Sequence, residues 1–163
     1  GVLVSSGIGG MKYLQTQHKR ALEGGPKRVS PQLIPQMITN ILAGYISMKY
    51  KFKGPNFCIT SACASGTHSI GEAARMIAYG DADIMIAGGS EASIEMLGVA
   101  GFAALRATSR RNDDPKGASR PFDKDRDGFV MSEGAGVIVL ESRQHAEARN
   151  AKIYCSLSGY GRT

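Results

Sequence analysis

A chain of 163 residues with 42% hydrophobic content is long enough to form one domain with its own core. It holds no run long and apolar enough for a membrane-spanning helix and no basic-then-apolar leader, so neither a membrane span nor a secretory signal is expected. The net charge of +6 suits an acidic partner; scattered basic residues, 7% aromatics and no nucleic-acid motif argue against nucleic acid.

The chain opens on a short apolar strand, residues 2–4, which runs into Ser5-Ser6-Gly7-Ile8-Gly9-Gly10. A strand followed by such a turn is similar to a dinucleotide fingerprint, but the third glycine would fall at Lys12 and no ribose-binding acid follows. It is read as a tight turn. Residues 11–22 carry helical periodicity, ended by Gly24-Gly25-Pro26, and Lys27 and Arg28 follow as loop charges. Ser30-Pro31 opens a second helical region, expected to be regular over 36–49. Met37, Ile41, Tyr45 and Met48 form one apolar stripe there, the mark of a core face.

After Gly54-Pro55, residues 56–61 read as a buried strand and 66–79 as an amphipathic helix with Ile70, Ala73, Ala74 and Ile77 at helical spacing. Gly80 can stop that helix, and residues 83–87 form the next apolar strand. Strand, helix and strand at this length make a parallel crossover unit, hence an α/β fold. Near-continuous apolar strands imply a sheet covered on both faces. Residues 91–105 are mixed and partly helical. The long polar stretch 106–128 contains Asp123-Lys124-Asp125-Arg126-Asp127-Gly128, which imitates half of an EF-hand loop. The bidentate Glu would have to stand at Gly134, and Glu133 is one residue short. An internal ion-pair network is expected instead, with Arg120 and Arg126 pairing to the aspartates. Residues 136–140 are a strong strand, 142–150 a short exposed helix, and 151–158 a last alternating strand with Ile153, Cys155 and Leu157 on one face.

Three cysteines without regular spacing make neither a disulfide framework nor a zinc site and fit a reducing, intracellular compartment. Cys58, inside a strand, and Cys155, on an alternating face, read as small packed hydrophobes. Cys63 differs by position: it sits where a strand turns sharply into a helix, among Ala62, Ala64, Ser65 and Gly66. Small neighbours let the backbone bend and a substrate approach. The free N–H groups and positive end of the following helix favour a thiolate and can hold an oxyanion. This is the layout of a serine nucleophile elbow built around sulfur.

The run Thr60-Ser61-Ala62-Cys63-Ala64-Ser65-Gly66 resembles the active-site segment of the β-ketoacyl-acyl carrier protein synthases, in particular the elongating type of fatty acid synthesis. Gly54-Pro55-Asn56, Ile77-Ala78-Tyr79-Gly80-Asp81-Ala82-Asp83, Ala87-Gly88-Gly89, Ser119-Arg120-Pro121-Phe122-Asp123 and Arg126-Asp127-Gly128-Phe129-Val130 extend the resemblance over essentially the whole chain. It implies a thiolase-like layered α-β-α-β-α architecture, present here in part, with a mixed sheet and a buried nucleophile-bearing helix. On it, residues 1–163 are an internal fragment, mostly the N-terminal half of such an enzyme, with no separate second domain. The activity implied is a decarboxylating condensation: Cys63 takes an acyl chain as a thioester, and the carbanion from a decarboxylated malonyl thioester attacks it. The backbone N–H of Cys63 would form half of the oxyanion hole. Ile8, Gly98 and Phe102 match acyl-pocket positions, and Lys27, Arg28 and Arg106 match carrier-protein contacts.

The resemblance further implies that two histidines and a lysine later in the parent assist catalysis, so this chain alone is expected to be inactive. His68 lies about 140° around the helix from the thiol, and His18 and His145 fall on polar helix faces. No cofactor or metal is implied, since the substrate rides on the phosphopantetheine of an acyl carrier protein, the expected partner. A homodimer with residues 56–60 at or beside its two-fold axis is expected, in the cytoplasm or an organelle stroma or matrix. The alternatives are a polyketide-type ketosynthase or thiolase-like acyltransferase, and a non-catalytic partner subunit. Cys63 counts against the last, since such subunits usually lose the nucleophile.

Overall fold

A computed structural model describes residues 1–162. Three strands form one mixed sheet, in the order β1 (Val2–Ser5), β2 (Ile84–Glu91), β3 (Gly134–Glu141). β1 and β2 run parallel, with Val2 opposite Ile86 and Ser5 opposite Gly89; β2 and β3 run antiparallel, with Ile84 opposite Glu141. Six helices accompany them: α1 (Met11–Gly24), α2 (Leu33–Met37), α3 (Ile41–Tyr50), α4 (Ser65–Ala78), α5 (Met96–Ala104) and α6 (Arg143–Ala148). None of the described helices is long and apolar enough to cross a membrane.

The core lies on both faces of β1. Strand geometry sends successive side chains to opposite faces. Leu3 joins Ala73 of α4 with Met85 and Ala87 of β2, while Val2 and Val4 pack on Ala43 of α3. Burying one aliphatic side chain of this size is worth about 1.5–3 kcal/mol. The expected double covering therefore holds at β1 and stops at β3, where Val137, Ile138 and Val139 remain 43–63% exposed.

The structure departs from several expectations. Residues 56–61 do not form a regular strand. Val2 N–H donates to Pro55 O at 2.8 Å and Val2 bridges Asn56 in parallel, but the Ile59 N–H then takes the Ser5 hydroxyl at 3.0 Å. A side-chain acceptor replaces the next ladder carbonyl, so the segment leaves the sheet. The parallel pair is consequently β1 with β2, and α4 leads from an extended segment into β2.

The region 36–49 is two helices rather than one. Pro35 lacks an N–H, and the Met37 carbonyl is taken by Gly10 N–H at 3.0 Å, so the chain extends at Ile38 before α3 begins. Residues 151–158 form no strand: none of them enters a ladder with another strand among the described residues. Cys155 is accordingly exposed rather than packed.

The ion pairs in the polar stretch also differ. Arg120 donates to the Gly117 carbonyl at 2.9 Å and Arg126 to the Asp123 carbonyl at 2.7 Å. Asp127 instead accepts from Ser109 Oγ at 2.6 Å and Arg110 N–H at 2.8 Å, with Arg111 Nε at 3.7 Å. The Ser109 and Arg110 bonds hold its carboxyl below the usual range. Backbone carbonyls lie nearer the two arginines than carboxylates do, and the carboxylates satisfy backbone and hydroxyl donors of the loop. At the end of β3, bonds from Arg149 and then His145 hold the Glu141 carboxyl down to about 2.

Candidate active site

The parallel strands β1 and β2 end on the same side of the sheet, where ligands of open α/β sheets are bound. Three turns gather there: the glycine-rich turn after β1, the end of β2, and the Cys63 turn. Glu91 of β2 ties the first two. Its carboxylate accepts from Ser6 Oγ at 2.9 Å, Gly7 N–H at 2.8 Å and Ile8 N–H at 3.1 Å. The concavity that would hold a phosphate is thus filled by the protein's own carboxylate, which agrees with the reading against a nucleotide. A Cβ built on Gly7 would lie 3.4 Å from Ala62 O, so this turn sits directly against the residue before Cys63.

The thiol of Cys63 is exposed, two residues ahead of α4. Ala62 adopts φ +51°, a left-handed conformation that costs a non-glycine residue about 1 kcal/mol and persists where neighbours hold it. That angle swings the chain from the extended segment into the helix. No side chain caps the N-terminus of α4: the Ser65 N–H is taken by the Ala62 carbonyl at 3.1 Å, and the Gly66 and Thr67 N–H groups have no bond among the described residues. At Gly66 the helix meets the Gly89 backbone, where an added Cβ would lie 3.7 Å from Gly89 N. The small residues around Cys63 allow this approach.

The other expected site residues are distributed unevenly. Ile8 lies on the turn against Ala62 and is 38% exposed. Gly98 is buried in α5, where an added Cβ would fall 2.2 Å from Ser93 O and 3.2 Å from Met11 Sδ. Phe102 is half-buried, edge-on to Phe129 at 5.1 Å. The contacts of Gly98 and Phe102 are thus packing contacts, and none reaches Cys63. Lys27 and Arg28 follow α1 and Arg106 follows α5; all three are exposed and belong to no ion pair among the described residues. One cleft of about 620 Å³ lies around Arg120, Phe122 and Phe129, and another of about 440 Å³ between α4 and residues 157–162. Neither contains Cys63, Ile8 or Gly98.

The His68 Nδ1 lies 2.6 Å from Ser61 Oγ, two residues before Cys63. Cys58 is not packed among apolar groups. Burial pushes its thiol up, but hydrogen bonds to Thr60, the Ser6 backbone, Ser5 and Thr39 outweigh that and leave it below the ordinary value. The sequence reading missed Glu91, Ser65 and His68. A carboxylate just beyond the apolar run of β2 was the available signal for Glu91; the other two have no local signature.

A mixed α/β sheet that presents a cysteine on a strained turn into a half-buried helix is the arrangement of a thiolase-like ketosynthase fold. Residues 1–146 match the model of the β-ketoacyl synthase N-terminal domain, and the chain belongs to the β-ketoacyl synthase family. It is 54% identical over 161 residues to the 3-oxoacyl-[acyl-carrier-protein] synthase 2 of Vibrio cholerae, covering 99% of this chain and 39% of that protein. The mitochondrial 3-oxoacyl-[acyl-carrier-protein] synthase of Arabidopsis thaliana is 52% identical, over 99% of this chain and 35% of its own length. Among solved structures, AntDE:AntF, a type II PKS acyl-carrier protein in complex with its ketosynthase bound to the hexaketide, superposes with a TM-score of 0.88. It is 33% identical and covers 94% of this chain and 39% of that one. The chain therefore spans about two fifths of the length of the curated relatives it matches.

Proposed function

We propose that this chain carries the nucleophile of a β-ketoacyl-acyl carrier protein synthase of fatty acid elongation. The observation that carries the reading is the exposed Cys63 on a strained turn at the uncapped N-terminus of α4. Cys63 Sγ attacks the thioester carbonyl of a carrier-bound acyl chain, and the carrier thiol leaves. A malonyl thioester then loses carbon dioxide, its carbanion attacks the acyl-enzyme, and the Cys63 thiolate departs as the β-ketoacyl product forms. The Cys63 N–H donates to the developing oxyanion. Ile8, Gly98 and Phe102 border the acyl chain. The histidines and lysine that assist decarboxylation lie outside these residues, so the 163-residue chain by itself does not condense. Identities of 54% and 52% to fatty acid-type relatives, against 33% to the type II PKS structure, favour the fatty acid pathway over a polyketide one. The place of action is the cytoplasm or an organelle; one relative is mitochondrial by name. The test is condensation by the full-length protein: acyl- and malonyl-carrier substrates should yield a β-ketoacyl product, and absence of product would overturn the reading.

The acidic acyl carrier protein docks on Lys27, Arg28 and Arg106, whose exposed charges have no partner among the described residues. Lys27→Glu with Arg28→Glu should raise KM for carrier-bound substrate roughly tenfold at low ionic strength, shrinking as salt screens the contact. An unchanged, salt-independent KM would mean that these are ordinary solvated charges.

The active species is a homodimer formed beside residues 56–60. This segment borders β1 on the side away from β2, with Phe57 40% exposed, and so leaves an unpaired edge. Sedimentation of the full-length protein should show a dimer at micromolar concentration; a lone monomer there would contradict it.

A further inference from the structure

Two side chains of α4 reach back and hold the Cys63 turn from either side. Ser65 is 4% exposed. Its Oγ accepts the Ser61 N–H at 2.9 Å and donates to the Ala62 carbonyl at 2.7 Å. One helical turn further, His68 Nδ1 lies 2.6 Å from Ser61 Oγ. Behind Ser65 stands a buried chain of hydroxyls. Ser69, fully buried, donates to the Ser65 carbonyl at 2.8 Å and shares a 2.6 Å hydrogen bond with Ser5 of β1. Ser5 in turn accepts the Ile59 N–H at 3.0 Å. The two residues preceding Cys63 are therefore fixed to the helix, and the segment before them to the sheet, while the thiol itself stays exposed.

Ala62 holds a left-handed φ of +51° without the freedom of glycine, and the Ser65 hydroxyl engages the carbonyl on its Cys63 side and the N–H of Ser61 just before it. Loss of these bonds lets the turn relax toward ordinary backbone angles and carries the Cys63 Cα with it. We infer that Ser65 and His68 are positioning residues for the Cys63 nucleophile: Ser65 holds the strained peptide groups and His68 holds Ser61. The inference rests on the function proposed for Cys63. It concerns placement of the sulfur against a bulky carrier-bound thioester, where a shift of about 1 Å can cost about 10²-fold.

The experiment compares three readouts in the full-length protein: the single-turnover rate of Cys63 acylation by acyl carrier protein, alkylation of Cys63 by iodoacetamide, and Tm. Ser65→Ala and His68→Leu should each slow acylation about 10- to 100-fold. Alkylation by the small reagent, which approaches from many directions, should change less than about threefold. His68→Asn should restore acylation, because its amide reaches the place of Nδ1; His68→Gln, whose amide reaches the place of Nε2, should not. Unchanged acylation in both Ser65→Ala and His68→Leu overturns the inference, as does an equal loss in His68→Asn and His68→Leu. Acylation, alkylation and Tm falling together would also overturn it, by showing a general structural role. Acylation that persists in Cys63→Ala would instead sink the reading of the site itself, which keeps the two failures apart.

Discussion

Cys63→Ala in the full-length protein is expected to lower β-ketoacyl product formation by at least about 10³-fold, because a covalent route without its nucleophile retains only binding and the remaining polar groups. Cys58→Ala and Cys155→Ala should leave turnover within a few-fold of the parent. Three physical differences separate the thiols. Cys63 stands at the start of α4, whose first N–H groups no side chain caps, and its neighbours are small enough for a thioester to approach. Cys58 is half-buried among the hydroxyls of Ser5, Thr39 and Thr60 and is two residues short of the turn that faces the helix. Cys155 lies on an exposed segment with no strand partner. Cys63→Ser should fall nearly as far, because a hydroxyl needs an adjacent base and His68, the histidine of α4, is committed to Ser61. Product assays with quantified carrier substrates measure all four variants. Loss of turnover in Cys58→Ala with retention in Cys63→Ala would move the nucleophile to the wrong residue for this mechanism.

Gly88→Ala is expected to be the most damaging conservative change in the sheet. Gly88 has φ +151°, and a Cβ there would lie 2.0 Å from Gly136 O and 2.9 Å from Val137 Cα. Both obstacles are backbone atoms of β3, so the overlap is relieved only by separating β2 from β3 or bending one of them. Backbone strain and overpacking together cost on the order of 3 kcal/mol or more. The same shift would disturb Gly89, which meets Gly66 at the start of α4, so the Cys63 turn should lose its support as well. Gly44→Ala is the matched control: within α3 an added Cβ meets nothing within 4 Å, and the change should stabilise by about 0.5–1 kcal/mol. Urea unfolding of both variants checks this, with Gly88→Ala lowering the midpoint at unchanged slope. A midpoint for Gly88→Ala equal to that of the parent would mean that the β2–β3 register is not as described.

Much of this architecture is legible in local pattern. Periodicity located α4 within one residue at each end, and the apolar runs located β2 and β3. α4 and β2 bury part of their surface in the core and β3 is a continuous apolar run, so their own residues specify them. The failures fall where pairing depends on a distant neighbour. Residues 56–61 and 151–158 have the composition of strands, but a strand needs a partner ladder. Ser5 Oγ diverts the first, and no described strand flanks the second. The break between α2 and α3 arises because Gly10 N–H, far away in sequence, takes the Met37 carbonyl. Within the site, the nucleophile was legible from small residues around a cysteine between strand and helix patterns. Its holders were not: Ser65 and His68 look like ordinary helix residues, and only the fold brings their polar atoms onto Ser61 and Ala62. For Glu91 the sequence offers a carboxylate after an apolar run but not its role, since that carboxylate serves a turn more than 80 residues earlier in the chain.

The most direct test of the central claim is to incubate the full-length protein with a labelled acyl chain on acyl carrier protein and map the modified peptide by mass spectrometry. The acyl group should be found on Cys63, in the peptide containing Ser61-Ala62-Cys63-Ala64, at close to one per chain and removable by hydroxylamine as a thioester. Label on Cys58 or Cys155, or no covalent label under conditions in which product forms, would contradict the account.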